Sequence, residues 1–151
     1  PNTVRKSVEE ISQYNVKFTT IHLQGGRDMI LAANEVKGNT KILGVSLLTS
    51  LDNSDTRELY NNNFNKQFDN LINLAMETKI DGIVCSSQEL ELIQYSSLIK
   101  VVPGIRNQDS TDDQKRVMTS SEAYSNGADY IVVGRPITQA KHVEEAIKDY
   151  S

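Results

Sequence analysis

"YIVVGRPIT", residues 130–138, joins a run of aromatic and β-branched residues to a single glycine and then to an arginine. Such a run buries well in a parallel sheet, and a glycine without a Cβ lets the backbone turn where a side chain would hinder it. The segment therefore reads as a buried strand, Tyr130 to Val133, with Arg135 at its carboxyl end. From these residues alone two readings of the arginine stay open. It is either a surface cation that follows a strand, or a charge held at the rim of a sheet for an anion.

Working outward, short apolar runs alternate with helical patterns, the order expected of an α/β fold with a parallel sheet. Strands are expected near Lys17 to Ile21, Lys41 to Leu48, Gly82 to Cys85, Ile99 to Val102 and Tyr130 to Val133. Helical spacing marks Val4 to Tyr14, with Val4, Val8 and Ile11 on one face, and Arg27 to Lys37 after the Gly25-Gly26 turn. It also marks Phe64 to Thr78, where Phe64, Phe68, Leu71, Ile72 and Ala75 share a face, and the short stretch Gln88 to Tyr95. Thr119-Ser120-Ser121-Glu122 matches a capping box in front of a helix that ends at Gly127, and Gln139 to Tyr150 closes the chain as a helix. Asn61-Asn62-Asn63 reads as a turn or a helix start. Five strands with intervening helices fit either an open doubly wound sheet or part of a (β/α)8 barrel, and both bind ligands at the carboxyl ends of the strands. Those ends carry His22, Thr49-Ser50, Cys85-Ser86-Ser87, Pro103-Gly104-Ile105-Arg106 and Gly134-Arg135.

Composition narrows the function. The 151 residues suffice for one domain with a sizeable core, and 20 acidic against 16 basic residues give a net charge of −4, with no basic field to attract nucleic acid. Cys85 is the only cysteine, so no internal disulfide framework exists, and no apolar stretch is long enough to span a bilayer. A reduced, cytoplasmic protein is expected. Pro1-Asn2-Thr3 carries no signal-peptide pattern; it follows removal of an initiator methionine or a cut from a longer chain.

An anion above the rim would find a planar guanidinium fork at Arg135, with neutral backbone N–H donors at Gly134 and at the start of a following helix. Barrels often hold phosphate at the loops after their last two strands. If the last two strands here are those two, "PGIRNQDSTDDQKR", residues 103–116, is a polar lid, with Gln114 as an amide donor. The alternative is a solvated surface loop.

The segments "VVPGIR" (101–106) and "DQKRVMTSSEAYSNGADYIVVGRPIT" (113–138) resemble the carboxyl-terminal part of bacterial orotidine 5′-phosphate decarboxylases. "PNTV" at the start, "IHLQGGRDMI" (21–30), "GVSLLTSLD" (44–52) and "DGIVCSSQE" (81–89) resemble further segments of that family in its order. The resemblance implies a (β/α)8 barrel of which this chain supplies the last five strands and their helices, one partial domain over residues 1–151. It also implies a cytoplasmic homodimer or homo-oligomer that uses no cofactor or metal and converts orotidine monophosphate (OMP) to UMP and CO₂. Carried over residue by residue, Arg135 holds the phosphate with help from Gly134, and Arg106 lies beside it. Gln114 grips phosphate and pyrimidine together, the Thr49 hydroxyl faces the pyrimidine, Pro103 packs near the ring, and Thr3 reaches the ribose in a neighbouring subunit's site. His22 is read as a packed rim histidine and Cys85 as a small buried apolar group.

The same resemblance places the family's Asp-any-Lys-any-any-Asp array immediately ahead of Pro1, on strands this sequence does not contain. No catalytic residue is therefore expected in the chain. In the family that array must do the chemistry with fixed charges: carboxylates crowd the substrate's carboxylate, and the lysine stabilises and then protonates the C6 carbanion left by CO₂. The other readings are a noncatalytic remnant that folds or self-associates and binds nucleotide phosphate, or a related barrel acting on a sugar phosphate, such as a keto-gulonate phosphate decarboxylase. The PGIR and DQKR segments speak against the last.

Overall fold

The structure, a computed structural model, describes residues 1–48, 50–93, 96–107 and 118–150. Its strands are β1 (Phe18–His22), β2 (Lys41–Val45), β3 (Gly82–Val84), β4 (Ile99–Pro103) and β5 (Tyr130–Val132). They form one sheet in sequence order, each pair parallel. The helices are α1 (Asn2–Ser12), α2 (Arg27–Asn34), α3 (Asn53–Tyr60), α4 (Phe64–Glu77), α5 (Leu90–Ile93), α6 (Ser120–Ser125), α7 (Arg135–Thr138) and α8 (Val143–Lys148). The five expected strands are thus all present, with ends differing by at most three residues.

The ladders identify the sheet as part of a closed barrel. Phe18 stands opposite Lys41, Leu43 opposite Gly82, Gly82 opposite Ile99, and Val101 opposite Tyr130. Followed level by level, Phe18 therefore matches Lys41, then Ile80, then Ser97, then Asn126. Yet the ring that meets Phe18 is Tyr130, four residues further on, edge to face with centroids 5.1 Å apart. An offset of four residues over four ladders is one residue per strand, the stagger of an eight-stranded barrel with a shear of eight. Inward side chains that meet across the axis stand half a turn apart, so four steps make half a circle and eight strands the whole. The fold is a (β/α)8 barrel, and these residues supply five of its strands.

At the base of the barrel Phe18, Gly82 and Tyr130 occupy one level, contributed by alternate strands as layered packing requires. Lys17 seals it from below: its ammonium donates to the Tyr130 hydroxyl at 2.8 Å and lies 4.8 Å from the Tyr130 ring centroid and 5.1 Å from that of Phe18. Gly82 must be small, because a Cβ there would stand 2.5 Å from the Ile99 carbonyl oxygen and 2.7 Å from a Leu43 methyl. Leu43 and Val101 are buried on this inner side, apart from the main core cluster. That cluster fills the outer layer, where Ile21, Ile42, Ile83 and Val102 pack with Ile30 and Ala33 of α2 and Phe68, Leu71 and Ala75 of α4. Each fully buried side chain of this kind contributes about 1.5–3 kcal/mol.

Two stretches depart from the sequence reading. Helix α3 was not expected, because "NSDTRELY" is polar and buries only Thr56; it is held by a capping box, Asp52 accepting from the Ser54 and Asp55 N–H groups while Asp55 accepts from that of Asp52. Asn61 then ends α3 in the left-handed region (φ 54°) and Asn63 caps α4, so the asparagine run is a turn between two helices. The expected closing helix Gln139 to Tyr150 is shorter, only α8 at Val143–Lys148, and a separate short helix, α7, precedes it from Arg135, where Pro136 favours a first helical turn. Gly82→Ala is expected to destabilise the fold by about 1–3 kcal/mol through overpacking. Thermal melting checks it against Gly134→Ala, whose Cβ meets nothing within 4 Å and should leave the melting temperature unchanged.

Candidate functional site at the carboxyl-terminal rim

Parallel strands bring their carboxyl ends to one rim, and short bonds lock neighbouring ends together. The Gln24 amide donates to the Ser46 carbonyl at 2.6 Å, the Ser46 hydroxyl to the Val84 carbonyl at 3.1 Å, and the Cys85 N–H to the Val101 carbonyl at 3.2 Å. Of the residues singled out in the sequence, four gather on the adjacent ends of β4 and β5. Pro103 closes β4 opposite Val132 of β5, and Gly134-Arg135 follow two residues later. Arg106 is buried three residues past Pro103, with Nη1 donating to the Ile105 carbonyl at 3.1 Å. Arg135 is half-buried as the first residue of α7.

Thr3 stands apart from this group. It is exposed in the first turn of α1, four strands along the sheet from Arg135, with its carbonyl accepting from the Ser7 hydroxyl at 3.0 Å. Thr49 and Gln114 lie outside the described residues. His22 ends β1 exposed, which corrects its reading as a packed residue. It alternates with Phe18 and Thr20 on the inner face of an edge strand, where among the described residues no further strand covers it.

The loop expected to act as a lid leaves and re-enters the fold at one place. The Arg106 N–H donates to the Met118 carbonyl at 3.0 Å, beside a bridge between Ile105 and Met118. Asn107, which the sequence reading passed over, clamps three elements. Its amide donates to the Asp149 carbonyl, its Oδ1 accepts from the Ser120 N–H at 2.9 Å, and its N–H donates to the Tyr150 hydroxyl at 3.2 Å. Asparagine directly after "PGIR" was the only signal available. The capping box expected at α6 is present: the Thr119 hydroxyl and N–H donate to the Glu122 carboxylate at 2.7 and 2.9 Å, and these bonds hold its carboxyl below the usual range.

A cavity of about 450 Å³ lies on the flank of the rim, lined by Leu51, Asp52, Phe64, Gln88, Glu89 and Leu92 among others, and none of the four gathered residues borders it. Among the described residues no three His, Cys, Asp or Glu side chains are placed to hold a metal ion, and no helix is long and apolar enough to cross a membrane.

Comparison with known proteins agrees with this geometry. Residues 1–150 match the model of the "Orotidine 5′-phosphate decarboxylase / HUMPS family". The orotidine 5′-phosphate decarboxylase of Aquifex aeolicus is 42% identical over 161 residues, covering 98% of this chain and 68% of that protein. That of Ehrlichia chaffeensis is 40% identical over 156 residues, covering 99% and 68%. Among solved structures, orotidine 5′-phosphate decarboxylase from Lactobacillus acidophilus superposes with a TM-score of 0.81 at 28% identity, over 99% of this chain and 70% of that one.

Behind the rim, Cys85 points into the outer core, 1% exposed. Burial pushes its thiol far above the ordinary range; the Glu89 carboxylate adds to this and the Lys100 ammonium opposes it. A thiol held neutral is no nucleophile, which agrees with its reading as a small buried apolar group. At pH 8 a maleimide should label Cys85 only after denaturation, as read by intact mass; stoichiometric labelling of the folded chain would contradict its inert role.

Proposed function

Because the chain belongs to the orotidine 5′-phosphate decarboxylase / HUMPS family, we propose that its barrel rim binds OMP and UMP and serves the conversion of the first into the second with release of CO₂. The observation that carries the reading is the gathering of Pro103, Arg106, Gly134 and Arg135 on neighbouring strand ends of a (β/α)8 sheet. In this reading Arg135 takes the phosphate through its planar fork, assisted by the Gly134 backbone, and Arg106 adds positive charge from a buried position. Gln114 spans phosphate and pyrimidine from the loop whose ends Arg106, Asn107 and Met118 pin together. Thr49 and Pro103 border the ring. Thr3, exposed and far along the sheet from Arg135, serves the ribose in a neighbouring subunit of a cytoplasmic homodimer. The 151 residues form one partial barrel domain.

The phosphate sits away from the reacting C6, so its grip acts by positioning. Binding energy gained at the phosphate holds the pyrimidine where fixed charges can stabilise the carbanion. The C6–carboxylate bond breaks, CO₂ leaves, the electron pair stays on C6, and a proton completes UMP. In this reading the proton donor and the fixed charges come from the family's array on other strands, and no metal or organic cofactor takes part. These 151 residues by themselves are therefore expected to bind the nucleotide without turning it over. A noncatalytic nucleotide-binding remnant is the second reading, favoured by the two sheet edges left unpaired among the described residues.

Two measurements test this. Incubation of the 151-residue chain with OMP should give no loss of substrate absorbance while UMP still binds by calorimetry; turnover would reject the division of labour. Arg135→Ala should weaken UMP binding by about a hundredfold, the loss of two hydrogen bonds to a charged group. Unchanged affinity would remove Arg135 from the site.

A further inference from the structure

We infer that Asn107 is a positioning residue for the Arg106 guanidinium, and that through it Asp149 and Tyr150, which follow α8, set how strongly the rim holds an anion. The inference takes its ligand, UMP, from the nucleotide reading and rests on that reading for its functional half; its geometry stands by itself.

Arg106 is 8% exposed, so its charge is poorly screened by water and its direction matters more than that of a surface arginine free to swing. The side chain turns back on its own backbone, Nη1 donating to the Ile105 carbonyl at 3.1 Å, and the aim of the guanidinium therefore follows the backbone of residues 105–107. That backbone is held on both sides. Ahead of Arg106, the fully buried Ile105 bridges to Met118, and the Arg106 N–H donates to the Met118 carbonyl at 3.0 Å. Behind it, Asn107 makes the hold. Its amide donates to the Asp149 carbonyl, its Oδ1 accepts from the Ser120 N–H at 2.9 Å, and its N–H donates to the Tyr150 hydroxyl at 3.2 Å.

The residue type is what allows this. A primary amide donates and accepts from one planar group, and asparagine does so without the additional rotor of glutamine. Ser120 is the first residue of α6 and Asp149 the C-cap of α8, so Asn107 supplies an acceptor to an N–H that a helix start leaves over and a donor to a carbonyl that a helix end leaves over. Aspartate would keep the first bond and set a charged oxygen against the Asp149 carbonyl; alanine would lose both. Helix α6 leads into β5 and α8 follows it, so the same side chain ties Arg106 to the part of the chain that carries Arg135. Groups that grip a ligand keep their aim only when neighbouring bonds lock them in this way.

The test uses the intact 151-residue chain and reads Arg106 directly, by NMR of the arginine side-chain Nε–H groups, with Arg106→Lys assigning the signal. In Asn107→Ala the Arg106 signal should shift and its exchange with water should quicken by about tenfold. Tyr150→Phe removes one hydroxyl and keeps a ring that packs on the core; it should give a smaller change in the same direction, and it covers the case in which Asn107→Ala fails to fold. Asn63→Ala, which uncaps α4 between β2 and β3, should lower the melting temperature and leave the Arg106 signal in place, whereas a merely structural role for Asn107 would make the two variants alike. UMP affinity, by calorimetry, should fall about tenfold in Asn107→Ala, since a misplaced positioning group costs up to about a hundredfold and Met118 still holds one side, and should not change in Asn63→Ala. An Arg106 signal unmoved in both Asn107→Ala and Tyr150→Phe would overturn the proposal, and so would a UMP affinity that survives the loss of Asn107. If the parent chain binds no UMP, the nucleotide reading falls, and the Arg106 signal decides the positioning role without it.

Discussion

The contact between Phe18 and Tyr130 is the constraint from which the architecture follows. These rings belong to the first and last strands, 112 positions apart in the chain, and they touch only because the sheet between them is both curled and staggered. Curl alone would bring Phe18 to the level of Asn126; stagger alone would leave the two strands on a flat ribbon. Lys17 strengthens the junction by bonding the Tyr130 hydroxyl while lying against both rings. An aromatic pair gives about 0.5–1.5 kcal/mol beyond its area burial. The larger effect is geometric, since this pair fixes where the barrel axis runs.

From that axis the position of the rim follows. All five strands run the same way, so their carboxyl ends reach one side, and the ladder that pairs Pro103 with Val132 puts the segments that carry Arg106 and Arg135 after adjacent strand ends. The stretch between them in sequence leaves and returns through Asn107 and Met118, pinned by bonds to Ser120, Asp149 and Tyr150. Helix α8 and the residues after it thus hold the base of the loop. Tyr150 thus bears on how Asn107 is held.

Legibility from sequence tracked burial. The strands were readable because their apolar runs are short and bounded, and α4 because Phe64, Phe68, Leu71 and Ala75 repeat at helical spacing and are all buried. Helix α3 escaped because it buries one threonine and is held by caps, a signal two side chains wide. The last helix was drawn too long, and α7 was missed, for a related reason: neither α7 nor α8 has a buried residue, so no periodicity marked their ends. His22 was misjudged from the other direction. Its place at a strand end was legible, but whether a strand-end side chain is covered depends on the neighbouring strand, which lies across a gap that no local pattern records. The rim itself was legible through family-like motifs, and Asn107 was not, because its partners lie 13, 42 and 43 residues away.

The least buried part of the molecule carries the candidate anion grip. No residue of β5 is buried, whereas β2 and β4 each bury three, and the two helices after β5 add no buried residue of their own. Local opening is cheapest where apolar contacts are fewest, so β5 and its helices are expected to open more readily than β2 and β4. A ligand held at Arg135 stabilises the folded arrangement of that unit by mass action, in proportion to the logarithm of its concentration over its dissociation constant. Closing the ring beside β5 would act on the same unit by another route, burying Tyr130 and Val132 and excluding water from the flank of Arg135, where a drier surrounding strengthens every charge interaction. Anion binding at the proposed site and barrel closure would therefore converge on one strand, and each should make the other easier because both favour its ordered form.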